Sequence, residues 1–238
     1  MNVHETVMYD NNPFCGYNIP IVSYEYDQYN KLNNDLVTIL DDLEEFYLNT
    51  KSNNKKTDGS TNTKNVLTNN FYNFNIFDRT EYDTVKDFKY FVADVYKHYV
   101  EKYTPFDFSL LKDTYIQCWG NKLEKFDFLD RHVHTNSFNL VQNNLELSAN
   151  YFVQSPGHDT YTRYYSPVTL NKDTYTPIKN KEGHLTIFPS FVEHNTTANR
   201  SSDKYRYTLG MDVINTNVED IDLLLSYGSY TKLNEHEK

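Results

Sequence analysis

The chain has 238 residues, enough for one sizeable core with a pocket, and its formal net charge of −10 counts against a protein that grips nucleic acid by its phosphates or rests on an anionic membrane. Hydrophobic residues make up only 38%, yet 22 Tyr and 15 Phe supply large rings to bury, so a folded domain is expected in place of a disordered chain. No run approaches the roughly 20 apolar residues of a membrane span, and the start, MNVHETVMYDNN, has neither the basic nor the apolar region of a secretory signal.

Two cysteines, Cys15 and Cys118, form no CxxC, which argues against a disulfide scaffold or a thiolate zinc site and for a reducing, cytoplasmic location. Asn, Tyr, Asp and Lys are abundant while Gly, Pro, Ala and Arg are scarce, the bias of A-T-rich coding sequence that many phages share.

Along the chain, Tyr17-Asn-Ile-Pro-Ile-Val-Ser-Tyr-Glu-Tyr reads as a strand ending near Asp27. From Gln28 to Asn49, Leu32, Leu36, Leu40, Leu43 and Tyr47 recur at three and four residues, predicting an amphipathic helix on the outside of a sheet. Residues 50–64, TKSNNKKTDGSTNTK, read as a polar loop or mobile insertion. Tyr82, Val85, Phe88, Phe91, Val92, Val95, Tyr96 and Tyr99 predict a second helix over 80–103, closed by Thr104-Pro105 because proline disfavours helix in the residue before it. From Tyr115 the helical period is lost. Strands are predicted near 115–119, 129–135, 145–154, 160–166, 184–188 and 205–214, with a short packing segment at 218–227. Helices first and short strands afterwards suggest an α+β chain: residues 1–65 as an N-terminal helix and loop, residues 66–238 as a strand-rich domain with its supporting helix.

Eight histidines are unevenly placed. His132 and His134 stand two apart in Arg131-His-Val-His-Thr-Asn, so in a strand both imidazoles project from one face, with Val133 opposite. A third ligand must come from another strand, and His194, in Phe188-Pro-Ser-Phe-Val-Glu-His, is the candidate. Three imidazoles suit iron, zinc, copper or nickel and leave positions open for small molecules. Surface or core roles fit the same spacing, so spacing alone leaves the metal open. Arg206 opens the predicted strand Arg206-Tyr-Thr-Leu-Gly-Met-Asp-Val. A guanidinium aimed into a barrel is costly unless it meets an anion, and a carboxylate meets it bidentately; pointing outward, it is an ordinary strand charge.

The order of these motifs resembles that of the 2-oxoglutarate/Fe(II)-dependent oxygenases, and more closely the prolyl-hydroxylase-like branch with phage and bacterial members. The residues that carry the resemblance are Cys118-Trp119-Gly120-Asn121, His132-Val-His-Thr-Asn-Ser137, Ser148-Ala-Asn-Tyr-Phe-Val153, Leu185-Thr-Ile-Phe-Pro-Ser-Phe-Val-Glu-His194 and the Arg206 strand. The resemblance spans about residues 66–214. It implies a double-stranded β-helix (a jelly roll) with helices outside the major sheet. It implies Fe(II) held by His132, His134 and His194, 2-oxoglutarate as cosubstrate with Arg206 on its distal carboxylate, dioxygen as co-reactant, and hydroxylation of a substrate such as a peptidyl side chain. Departures are visible. His134 stands where an Asp or Glu is usual, which leaves the site one negative charge short. Phe152 stands where relatives have a hydroxyl-bearing Tyr, and Asn150, on the same strand face, is the candidate to replace it in cosubstrate binding. Two other readings compete: a cupin-like dioxygenase needing no 2-oxoglutarate, and a non-catalytic jelly-roll virion or interaction protein.

Overall fold

In a computed structural model, residues 2–9, 18–50, 66–105, 113–134, 145–167, 174–216 and 228–233 are described. The expected loop at 51–64 and packing segment at 218–227 lie outside them, as does Cys15. The strands are β1 (Asn2–Tyr9), β2 (Asn18–Glu25), β3 (Asp113–Leu123), β4 (Leu145–Gln154), β5 (Tyr161–Tyr165), β6 (Tyr175–Lys179), β7 (His184–Pro189), β8 (His194–Thr196), β9 (Arg206–Thr216) and β10 (Thr231–Lys232). The helices are α1 (Tyr29–Asn49), the short α2 (Val66–Asn69) and α3 (Asp83–Tyr103).

A seven-stranded sheet runs β1-β2-β7-β4-β9-β3-β10 and a three-stranded sheet runs β6-β5-β8, all neighbours antiparallel. From β3 onward the chain alternates between the sheets. β3 lies in the large one, His132 bridges to His194 at the edge of the small one, β4 returns to the large, β5 and β6 to the small, then β7 large, β8 small and β9 large. That alternation rolls two facing sheets into a double-stranded β-helix, as the sequence led us to expect.

The helical stripes are where their periods place them. Leu32, Leu36, Leu40 and Leu43 of α1, and Val85, Phe88, Val92, Val95 and Tyr99 of α3, are buried in one cluster with the outward-facing residues of the large sheet, among them Leu147, Tyr151, Leu209 and Met211. Burying each aliphatic side chain stabilises the fold by about 1.5–3 kcal/mol. A Cβ on Gly120 would collide with the Leu40 side chain, so a glycine in β3 lets α1 sit close. Asn33 of α1 accepts from Tyr151 Oη at 2.8 Å and donates to the Val153 carbonyl at 2.6 Å, fastening the helix to β4.

One strand expectation needs correction, and three strands were missed. Of the segment expected at 129–135, the described residues 129–134 form a single bridge, at His132, with one further bond from Thr196 N to the Leu129 carbonyl at 3.1 Å, because β8 is three residues long. β1, β6 and β10 were not anticipated. β6 alternates exposed and half-buried residues around Pro177 at a sheet edge, a pattern with no apolar signal. Among the described residues no helix is long and apolar enough to cross a membrane.

Candidate metal and cosubstrate site

On β9 the side chains alternate. Tyr207, Leu209, Met211 and Val213 join the cluster under the helices, so Arg206, Thr208, Gly210 and Asp212 face the space between the sheets. The register puts Leu123, Asn121, Trp119 and Gln117 of β3 opposite these four, and puts Ser148 and Asn150 of β4 opposite Asp212 and Gly210. Gly210 is required here: a Cβ would stand 2.6 Å from the Trp119 indole.

Into this interior come the three histidines. His132 and His194 exchange backbone hydrogen bonds, each N to the other's carbonyl at 3.0 Å, and the His134 amide donates to the Ser190 carbonyl at 3.0 Å. The turn at Pro189-Ser190, closed by Val192 N on the Pro189 carbonyl at 2.9 Å, sets His194 opposite His132. One ring nitrogen from each histidine lies within 4.8 Å of the others. Ring centroids are 4.4 Å apart for His132 and His194, 5.0 Å for His134 and His194, and 5.1 Å for His132 and His134.

The outward nitrogens fix the tautomers. His132 Nδ1 is 2.6 Å from the Asp130 carbonyl, His194 Nδ1 is 3.0 Å from the Val192 carbonyl, and His134 Nδ1 is 2.6 Å from Asp212 Oδ1. Each Nδ1 faces an acceptor and so carries the hydrogen, which leaves the lone pair on Nε2. His132 Nε2 and His134 Nε2 then face each other at 3.1 Å. Two lone pairs at that distance repel unless a proton or a cation lies between them. Burial, reinforced by His132 and His134, holds the His194 imidazole well below its ordinary pKa, with the Val192 carbonyl opposing, so this ring stays neutral and keeps its Nε2 lone pair. The donor set is neutral, convergent and partly dry, and it fits a first-row divalent cation. Trp119 stacks on His134 at 5.6 Å, Tyr164 on His194 at 5.8 Å, and Phe188 meets His194 edge-on at 4.8 Å.

Arg206 is 1% exposed. Its Nη1 donates to the Thr197 carbonyl at 2.7 Å and its Nη2 to Thr196 Oγ1 at 2.8 Å, while Nε has no partner among the described residues. Among the described residues no carboxylate pairs with it. Burial pulls its pKa down to about 10, against a smaller opposing pull from Asp127. Asn150 also faces the interior, and its Nδ2 donates to Tyr164 Oη at 2.8 Å. The Tyr164 hydroxyl finds no acceptor among the described residues, and burial raises its pKa. Phe152, in register with Thr208, is buried on the same face.

Two residues with clear positions here were not singled out from the sequence: Asp212 and Tyr164. The parity of β9 was the available signal for Asp212, since a carboxylate six residues after Arg206 shares its face and needs a partner there. Of the residues around the site, Tyr151 is core, bonded to Asn33. Glu193 pairs with Arg131 at 2.6 Å near the surface. His158 is tied to the Arg200 amide at 2.9 Å, with Asp159 on Lys179 at 2.7 Å, away from the triad.

Residues 117–212 match the family model described as "Putative 2OG-Fe(II) oxygenase". A search of curated proteins finds no match. Among solved structures, the chain is similar to a Pseudomonas putida prolyl-4-hydroxylase, with 14% identity, TM-score 0.42 and coverage of 57% of this chain and 66% of that one. It is similar to a Burkholderia pseudomallei oxidoreductase of the 2OG-Fe(II) oxygenase family at 13% identity, TM-score 0.35, covering 44% and 47%. It is also similar to the non-heme alpha ketoglutarate dependent epimerase SnoN from nogalamycin biosynthesis at 11% identity, TM-score 0.40, covering 58% of each chain. The matched region thus spans between about half and two thirds of those chains. The sequence match to the 2OG-Fe(II) oxygenase model covers the residues from β3 to β9 that carry the triad, Asp212 and most of the double-stranded β-helix.

Proposed function

We propose that the chain is a 2-oxoglutarate-dependent non-haem iron oxygenase, with Fe(II) held by His132, His134 and His194 and 2-oxoglutarate as cosubstrate. The observation that carries this reading is the pairing, in one interior, of a lone-pair-facing histidine triad with a buried guanidinium that meets no carboxylate among the described residues. Thr196 stands two residues beyond His194 on β8 and bonds the guanidinium. Two residues along a strand are roughly 6–7 Å, a span that a five-carbon diacid bridges with one end at the histidines and the other at Arg206.

When bound, the iron and the keto acid supply oxidative decarboxylation of 2-oxoglutarate coupled to insertion of oxygen into a substrate C–H. The chain's own residues do the rest. The carbonyls of Asp130 and Val192 and the carboxylate of Asp212 orient the imidazoles. Arg206 receives the distal carboxylate, and the Asn150–Tyr164 pair offers it a hydroxyl from the opposite wall, in place of the one absent at Phe152. Trp119, Phe188 and Tyr164 exclude water. Hydroxylation of a peptidyl side chain is the substrate reading that the resemblance favours.

Metal analysis of anaerobically purified protein, loaded with Fe(II) or with Ni(II) or Zn(II) as surrogates, tests the site. His132→Ala and His194→Ala each lose stoichiometric metal, while His158→Ala keeps it. Equal metal in all three variants overturns the assignment. Absence of metal from the wild type favours a non-catalytic jelly roll.

A further inference from the structure

We infer that Asp212 is a positioning residue for this centre, returning through His134 the negative charge that a metal-ligating carboxylate would have supplied; the inference rests on the three-histidine site proposed above. The three ligands are not supported alike. His132 and His194 donate their Nδ1 hydrogens to backbone carbonyls, which are neutral. Only His134, in the position where two-histidine iron sites carry an Asp or Glu, donates to a carboxylate, and at 2.6 Å. A hydrogen bond of that kind pushes electron density onto the imidazole and raises its basicity toward a metal at Nε2.

The arrangement is built into the fold. Asp212 lies in the middle of β9, in register with Gln117 on one side and Ser148 on the other. Ser148 Oγ donates to the same Oδ1 at 2.8 Å, so Ser190, whose Oγ is 2.8 Å from that of Ser148, donates in turn. The Ser190 carbonyl accepts from the His134 amide. The loop of bonds from His134 through Asp212, Ser148 and Ser190 back to His134 joins β9, β4 and the turn after β7, and leaves the ring little freedom to turn. No ammonium or guanidinium pairs with Asp212 among the described residues, so its charge is directed at His134.

The test is Zn(II) affinity of the full chain, by competition with a chromophoric chelator, for wild type, Asp212→Asn, His134→Ala and the double variant. Asp212→Asn keeps the shape and an acceptor and removes the charge. It is expected to weaken Zn(II) binding by about 10- to 100-fold, and to have no further effect once His134 is gone, since it acts through that ring. Bound iron in Asp212→Asn is expected to show a higher reduction potential than in wild type, a shift that a packing role would not produce. Unchanged affinity, or the same loss with and without His134, overturns the inference while leaving the triad standing. A wild type that binds no Zn(II) overturns the triad and this inference with it. If Asp212→Asn does not fold, Ser148→Ala carries the same cycle, with a smaller loss that also vanishes in the His134→Ala background.

Discussion

Arg206 is a charge held out of water with two of its three kinds of nitrogen satisfied by neutral oxygens and the third by none of the described residues. Burying a cation this way is costly unless an anion arrives, so its place beside β8 is best explained by a ligand. Arg206→Met keeps the length of the side chain and deletes the charge. Its affinity for 2-oxoglutarate, measured by calorimetry on metal-loaded protein, is expected to fall at least about 30-fold, the loss of a desolvated charge pair at 2–5 kcal/mol, with metal content unchanged. Unaltered affinity would favour a cupin-like site that needs no keto acid. At this scale the sequence was informative where chemistry and spacing coincide: His132 and His134 by their two-residue step, Arg206 by a charge opening an apolar strand. Asp212 was legible only through the strand parity it shares with Arg206, and Tyr164 was not legible, because it acts through residues distant in the chain and sits in no patterned motif.

The elements hold the site by fixing the large sheet from behind. α1 is fastened to β4 by the Tyr151–Asn33–Val153 bonds and to β3 by Lys122, whose Nζ is 2.9 Å from Asp41 and 2.6 Å from Glu44. The neighbouring Tyr207 Oη donates to Asp41 at 2.8 Å. Tyr151→Phe removes a buried donor and leaves Asn33 Oδ1 unpaired, so unfolding in denaturant is expected to show a loss of about 1–3 kcal/mol, with triad metal binding retained; no measurable loss would mean that the bond carries no net stability. Both long helices were legible because their stripes of Leu, Val and aromatic residues keep a 3.6-residue period over 21 residues each. β1, β6 and the short bridge at His132 were not, since edge strands and three-residue ladders are stabilised by pairing partners, not by their own composition.

The described residues form three layers, helices over a large sheet over a small one, and the interior between the sheets gathers the histidine triad and Arg206. One wall, β9 with β4 and β3, brings Arg206, Asp212, Ser148, Asn150 and Trp119; the other, β8 with the His132 bridge and β5, brings His194, His132, Thr196 and Tyr164. Neither sheet holds all of these residues, so the proposed cosubstrate site is a property of the rolled fold. That is the central claim, and anaerobic titration of the wild-type chain with Fe(II) and 2-oxoglutarate, followed in the visible, tests it most directly. A metal-to-ligand charge-transfer band that requires both additions is the predicted result; a folded protein that shows no such band with both present would contradict it.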